Sequence, residues 1–147
     1  MSDNQPYDDL EKDALLSILS ETEKLADVGG WEWNIVTDVW SFSNNWLRLH
    51  GCTNRCLTTA DLLKIAHPDD RELIQQAFDK AVSKGVAYSI EHRIIRQDDG
   101  EERVMSASGK VVPDNQGNAV KIYGAARDIT EQKRIEAARK QLQKRLT

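Results

Sequence analysis

The sequence predicts an α+β fold: one five-stranded antiparallel sheet with short helices on one face, an amphipathic helix before it and a coiled-coil helix after it. Three observations carry this. Apolar residues alternate in a short early stretch around Trp31–Phe42 and a long late stretch from Val86 to Arg127. Between these stretches apolar residues recur at three- and four-residue steps, as in helices. Gln97-Asp98-Asp99-Gly100 and Pro113-Asp114-Asn115-Gln116-Gly117 are turn signals that join the late strands into a meander. Strands therefore bracket helices, as in α+β architectures.

The first residues, Met1 to Pro6, are polar and read as a tail. From Asp8 to Ala26, Leu15, Ile18, Thr22 and Leu25 trace one stripe, widened by Leu16 and Leu19. Gly29-Gly30 breaks that helix. Trp31-Glu32-Trp33-Asn34-Ile35 and Val39-Trp40-Ser41-Phe42-Ser43 then form a hairpin around Thr37-Asp38. Asn44 or Asn45 is the expected cap of a short helix carrying Trp46, Leu47 and Leu49 and ending at Gly51. Thr59 is the expected cap of a second short helix, through Ile65. His67-Pro68-Asp69-Asp70 starts a third, because proline suits a first turn and acids favour the positive end of the dipole. Its apolar face is Leu73, Ile74, Ala77, Phe78, Ala81 and Val82, and Gly85 ends it.

The late strands follow. Val86, Tyr88, Ile90, His92 and Ile94 alternate with polar residues, then come Arg103–Val112 and Ala119–Arg127. Thr130 is expected to cap a last helix from about Glu131 to Leu146, where Ile135, Ala138 and Leu142 form a narrow seam. The predicted organisation is a tail and flanking helix over 1–26, one domain over 27–130 and a signalling helix over 131–147.

Bulk properties exclude several classes. With 147 residues, 39% apolar and 30% charged, one domain can bury its own core without disulfide staples. A net charge of -4 argues against a nucleic-acid partner. No apolar run nears the ~18 residues of a membrane span, and the N-terminus lacks a signal-peptide pattern, so a cytoplasmic, non-membrane chain is expected. Two cysteines, Cys52 and Cys56, suit a reducing compartment.

The order of elements, with the residues that mark it, resembles the PAS family, and in particular its Gly-x-Trp-x-Trp-type members. The matching pieces are Gly29-Gly30-Trp31-Glu32-Trp33-Asn34, His67-Pro68-Asp69-Asp70-Arg71, Arg96-Gln97-Asp98-Asp99-Gly100 and Gly124-Ala125-Ala126-Arg127-Asp128-Ile129-Thr130-Glu131. One departure is Arg103-Val104-Met105, where many members carry tryptophan after the arginine; the loss of bulk is expected to leave more room inside. The resemblance implies a sensory PAS domain of a signal-transduction protein, first of all a sensor histidine kinase. It would bind a small ligand or cofactor, or dimerise, and relay the change through its C-terminal helix to the parent's output domain. The alternatives are a PAS domain of a diguanylate cyclase or phosphodiesterase, and a ligand-free dimerisation scaffold. Asp128, Ile129 and Thr130 match the family's output junction.

Catalysis by the chain itself is not expected. No phosphate-binding glycine motif occurs, and no acid–base set can be assembled beyond His92 with distant acids. His50, Cys52 and Cys56 lack the fourth ligand a zinc site needs. Haem is disfavoured because residues 69–84 contain no histidine. Asn54-Arg55-Cys56-Leu57 departs from the flavin-adduct motif of light-sensing relatives; four tryptophans leave a noncovalent flavin open. The candidate ligand-binding residues are Trp46, Tyr88, His92, Ser106 and Ser108. His92 shares the inner face with Tyr88 and Ile94, so it must be hydrogen-bonded there. Small residues at 106–109 and 124–126 leave volume for a ligand or let a helix approach. The first 30 residues hold eight acids and two lysines and the last 17 hold six bases and two acids, so the terminal helices are expected to lie near one another, within a chain or across a homodimer.

Overall fold

The first helix, α1 (Gln5–Ala26), stops at Asp27, whose φ of 53° turns the chain into the sheet. The computed structural model describes residues 5–147, with side chains from residue 11 onward. Residues 1–4 of the expected tail, and the acid Asp3 with them, lie outside the described residues, as do the side chains of Asp8 and Asp9. After α1 come β1 (Val28–Asn34), β2 (Val39–Phe42), α2 (Asn44–His50), β3 (Cys56–Leu57) and α3 (Thr59–Ile65). A 3-10 turn at Pro68–Asp70 leads into α4 (Arg71–Lys84). Then follow β4 (Tyr88–Ile95), β5 (Glu102–Pro113), β6 (Ala119–Asp128) and α5 (Thr130–Leu146).

The strands form one sheet in the order β3-β2-β1-β6-β5-β4, and each strand pairing is antiparallel. It has six strands where five are expected. The extra one, β3, adds only Cys56 and Leu57 beside Ser41 and Trp40, too few residues to show a period. The last strand of the chain, β6, lies beside the first: Val28 faces Arg127 and Trp33 faces Ile122.

Register decides which residues meet the core. Trp31 and Trp33 of β1, Ile122 and Ala126 of β6, Met105 and Ala107 of β5, and Tyr88 and Ile94 of β4 are buried under α2–α4. Aromatic rings fill that layer. Trp33 stacks on Trp40 at 5.0 Å, and Phe78 from α4 packs against Trp33, Trp40 and Tyr88. The indole N–H of Trp33 donates to Asp38 and that of Trp40 to Thr59, so these rings bury without stranding a donor.

Two helix caps differ from expectation by one residue. Ser43, not Asn44 or Asn45, caps α2: its hydroxyl accepts the Trp46 N–H. The buried Asn45 instead donates to the Glu23 and Val28 carbonyls, fastening the end of α1 to α2 and β1. Thr58, not Thr59, caps α3, because the Thr59 hydroxyl is taken by Asp38 and the Trp40 indole. His67 caps the 3-10 turn, its Nδ1 accepting the Asp69 N–H.

Candidate functional site

The space between sheet and helices narrows to a cavity of about 50 Å³. Its wall is assembled by α2. Gly51 ends that helix in a left-handed conformation, which a side chain would strain. Trp46 and His50 are four residues apart, so they share one face. Phe42, Trp46 and His50 form a three-ring stack, with centroids 3.6 Å apart at each step. Gly29 lets this helix lie close, since a Cβ there would meet the Trp46 backbone. The β4–β5 hairpin clamps the helix end: Arg96 donates to the Arg48 and Leu49 carbonyls, and the Gln97 N–H donates to the His50 carbonyl.

Two histidines line this cavity. His50 is buried, and its Nδ1 lies 2.8 Å from the Trp46 carbonyl. Burial, with His92 nearby, pushes its pKa down to about 3 against that hydrogen bond, so the ring is neutral at pH 7. His92 is half-buried on β4; burial lowers its pKa too, and its Nδ1 lies 3.4 Å from the Arg93 carbonyl.

The second feature is the corner where β6 becomes α5. Asp128 Oδ1 accepts both the N–H and the hydroxyl of Thr130, at 2.9 and 2.6 Å. Its Oδ2 accepts from Arg103 at 2.8 Å. Burial pushes the Asp128 carboxyl up, but these bonds outweigh it and hold it below the usual carboxylate range. The Thr130 hydroxyl accepts the Val104 N–H, so it does not cap α5 as expected. Threonine here ties the helix start to β5, and Asp128 is the residue that satisfies a first-turn donor. The Ile129 N–H donates to the Val104 carbonyl, completing a pair of bonds across one residue of β5.

A sequence profile described as the PAS fold matches residues 39–126, more than half of the chain. The chain belongs to the PAS family. No curated protein matches it. Among solved structures it is similar to a sensory box histidine kinase/response regulator from Burkholderia thailandensis, with TM-score 0.72 and 23% identity over 87% of this chain and 96% of that one. It is also similar to the N-terminal domain of a diguanylate cyclase with PAS/PAC sensor from Marinobacter aquaeolei, with TM-score 0.66 and 21% identity over 71% and 97% of the two chains. A PAS domain from Colwellia psychrerythraea gives TM-score 0.59 and 19% identity over 78% and 98%. At these identities the likeness establishes the fold.

Within this PAS domain the candidate residues divide. Trp46, Tyr88 and His92 line the cavity. Ser106 and Ser108 do not. Met105, Ala107 and Gly109 take the inward positions of β5, which puts both serines on the opposite face of the sheet. Val104 faces outward as well, so its small size adds no internal room. The small inward residues serve packing: a Cβ on Gly109 would meet the Trp31 ring at 2.6 Å. His50 was legible only as a failed zinc ligand; its four-residue offset from Trp46 was the signal that it belongs to the cavity.

Cofactor fit follows from size. Pockets for larger ligands measure about 300–1,000 Å³, and the cavity, filled by Trp31, Trp40 and Trp46, has about 50 Å³. Neither a three-ring flavin nor a porphyrin fits this lining. Cys56 is exposed on edge strand β3 and is not among the cavity residues. Among the described residues, no three His, Cys, Asp or Glu side chains cluster as a metal site, and no helix is long and apolar enough to cross a membrane.

Proposed function

We propose that this chain is the sensory PAS domain of a signalling protein, a sensor histidine kinase in the first instance. A small molecule occupies the cavity, and its presence is relayed through β6 into α5. The observation that carries this reading is continuity: Ala126 lines the cavity, Asp128 locks the corner, and α5 begins at Thr130. The domain spans 27–130, with 131–147 as the signalling helix, and acts in the cytoplasm without catalysis of its own. Exposed Leu15, Ile18 and Leu19 on α1 and Ile135, Leu142 and Leu146 on α5 support a homodimer through the terminal helices. Within one chain two of the six bases of the C-terminal helix, Lys133 and Arg134, pair with Glu91 and Glu101 rather than with α1.

A diguanylate cyclase parent is the second reading, supported by the similarity to the Marinobacter aquaeolei domain. In the full-length parent, Asp128→Ala and Thr130→Ala are expected to change output, kinase or cyclase activity, while circular dichroism shows the sheet intact. Normal regulation of output in both variants would sink the relay.

A further inference from the structure

The hydrogen bonds of the two cavity histidines fix where their protons sit. A carbonyl oxygen only accepts, so Nδ1 of His50 carries a proton toward Trp46 and Nδ1 of His92 carries one toward Arg93. A neutral imidazole has one N–H, so in both rings Nε2 holds a free lone pair. Among the described residues the bonds of both rings run through Nδ1. Neither Nε2 is a sealed, unpartnered atom, because no side-chain nitrogen or oxygen among the described residues is both fully buried and unpaired. Both rings line the cavity and are the acceptors it offers among side-chain nitrogens; its donors are the Tyr88 hydroxyl and the indole N–H groups of Trp31 and Trp46, the Trp40 N–H being taken by Thr59, and the other lining residues are hydrocarbon.

Size sets the other limit. One water needs about 10–15 Å³ of such space, so a 50 Å³ cavity takes a handful of waters or one single-ring molecule. Resting on the reading of this cavity as the ligand site, we infer that its ligand is a small, mostly apolar molecule of about one ring that carries an O–H or N–H donor for Nε2 of His50 or His92. An apolar molecule without a donor would leave dehydrated acceptors behind, the costly arrangement for a buried polar group.

Phenol and toluene differ by this one group and serve as probes. Histidine side-chain ¹⁵N resonances of the full 147-residue chain are followed while each is titrated. Phenol is expected to shift the Nε2 signal of His50 or His92 upfield and to bind about tenfold tighter than toluene, against the order in which the two leave water. Toluene binding as tightly as phenol, with the Nε2 signals unmoved, overturns the donor requirement and leaves the cavity as a ligand site. Neither probe binding up to its solubility limit overturns both the ligand class and the cavity reading.

Discussion

On the inner face of the sheet, Trp31, Met105, Ala107, Ile122 and Ala126 meet rings and helices until about 50 Å³ remains. On the outer face the alternate residues of the same strands are Glu32, Tyr123, Arg127, Ser106 and Ser108, which are exposed or half-buried and meet the first turns of α5 or water. The inner face has little slack beyond that cavity; the outer face has little to lose. A two-residue period places both faces on each strand, so any displacement of β6 by the cavity is also a displacement beneath the start of α5.

This contrast can be broken in four ways. The largest effect is expected at Gly29. A valine there drives its side chain into the Trp46 backbone, and a loss of about 4 kcal/mol or outright failure to fold should follow. Urea unfolding that showed a loss under about 1 kcal/mol would mean the inner face is looser than drawn.

Next is acid. His50 has a folded pKa of about 3 against 6.5 unfolded. Above 6.5 both states are neutral; below it the unfolded chain takes the proton first, so stability falls as pH drops from 6.5 toward 3. The expected slope is up to about 1.4 kcal/mol per pH unit, or roughly 3 kcal/mol by pH 4. His50→Phe keeps the ring stack and should remove that part of the slope in pH-dependent denaturation.

The Asp70–Arg93 pair ranks third. Asp70 accepts three bonds from Arg93, at 2.7, 3.1 and 2.7 Å, and these hold its pKa down to about 2. Its contribution is present above about pH 4 and is lost as pH falls through 2. Asp70→Asn should cost about 1–2 kcal/mol at pH 7, allowing for solvent around Arg93; an unchanged melting midpoint would remove the pair from the fold's supports. The smallest effect belongs to Ser108. On the outer face Ser108→Ala should stay within about 0.5 kcal/mol by the same unfolding assay, and a loss several times larger would show that the outer face is packed against something.

The division between faces also explains what the sequence disclosed. The alternation from Tyr88 to Ile94 puts His92 inward, as found, because large apolar neighbours fix its phase. At Ser106-Ala107-Ser108-Gly109 small residues occupy both phases, and the pattern gives no sign of which pair faces in; the inward pair is Ala107 and Gly109. The Thr130 hydroxyl had two partners within reach of its corner, a first-turn donor or the neighbouring strand. Local sequence names only the first, whereas the Val104 N–H it accepts lies 26 residues away. His50 illustrates the same limit, since its stacking on Trp46 is local but the hairpin that clamps it comes from residues 96 and 97.

One bond at the sheet's corner has a further consequence. The Asp128 N–H donates to the Asp27 carbonyl, and Val28 lies opposite Arg127, so the chain arrives on the sheet and departs from it at neighbouring positions. A unit attached in this way hangs like a bead beside a string. It can be inserted, duplicated or excised between two helices with little change in the path of the line that carries it.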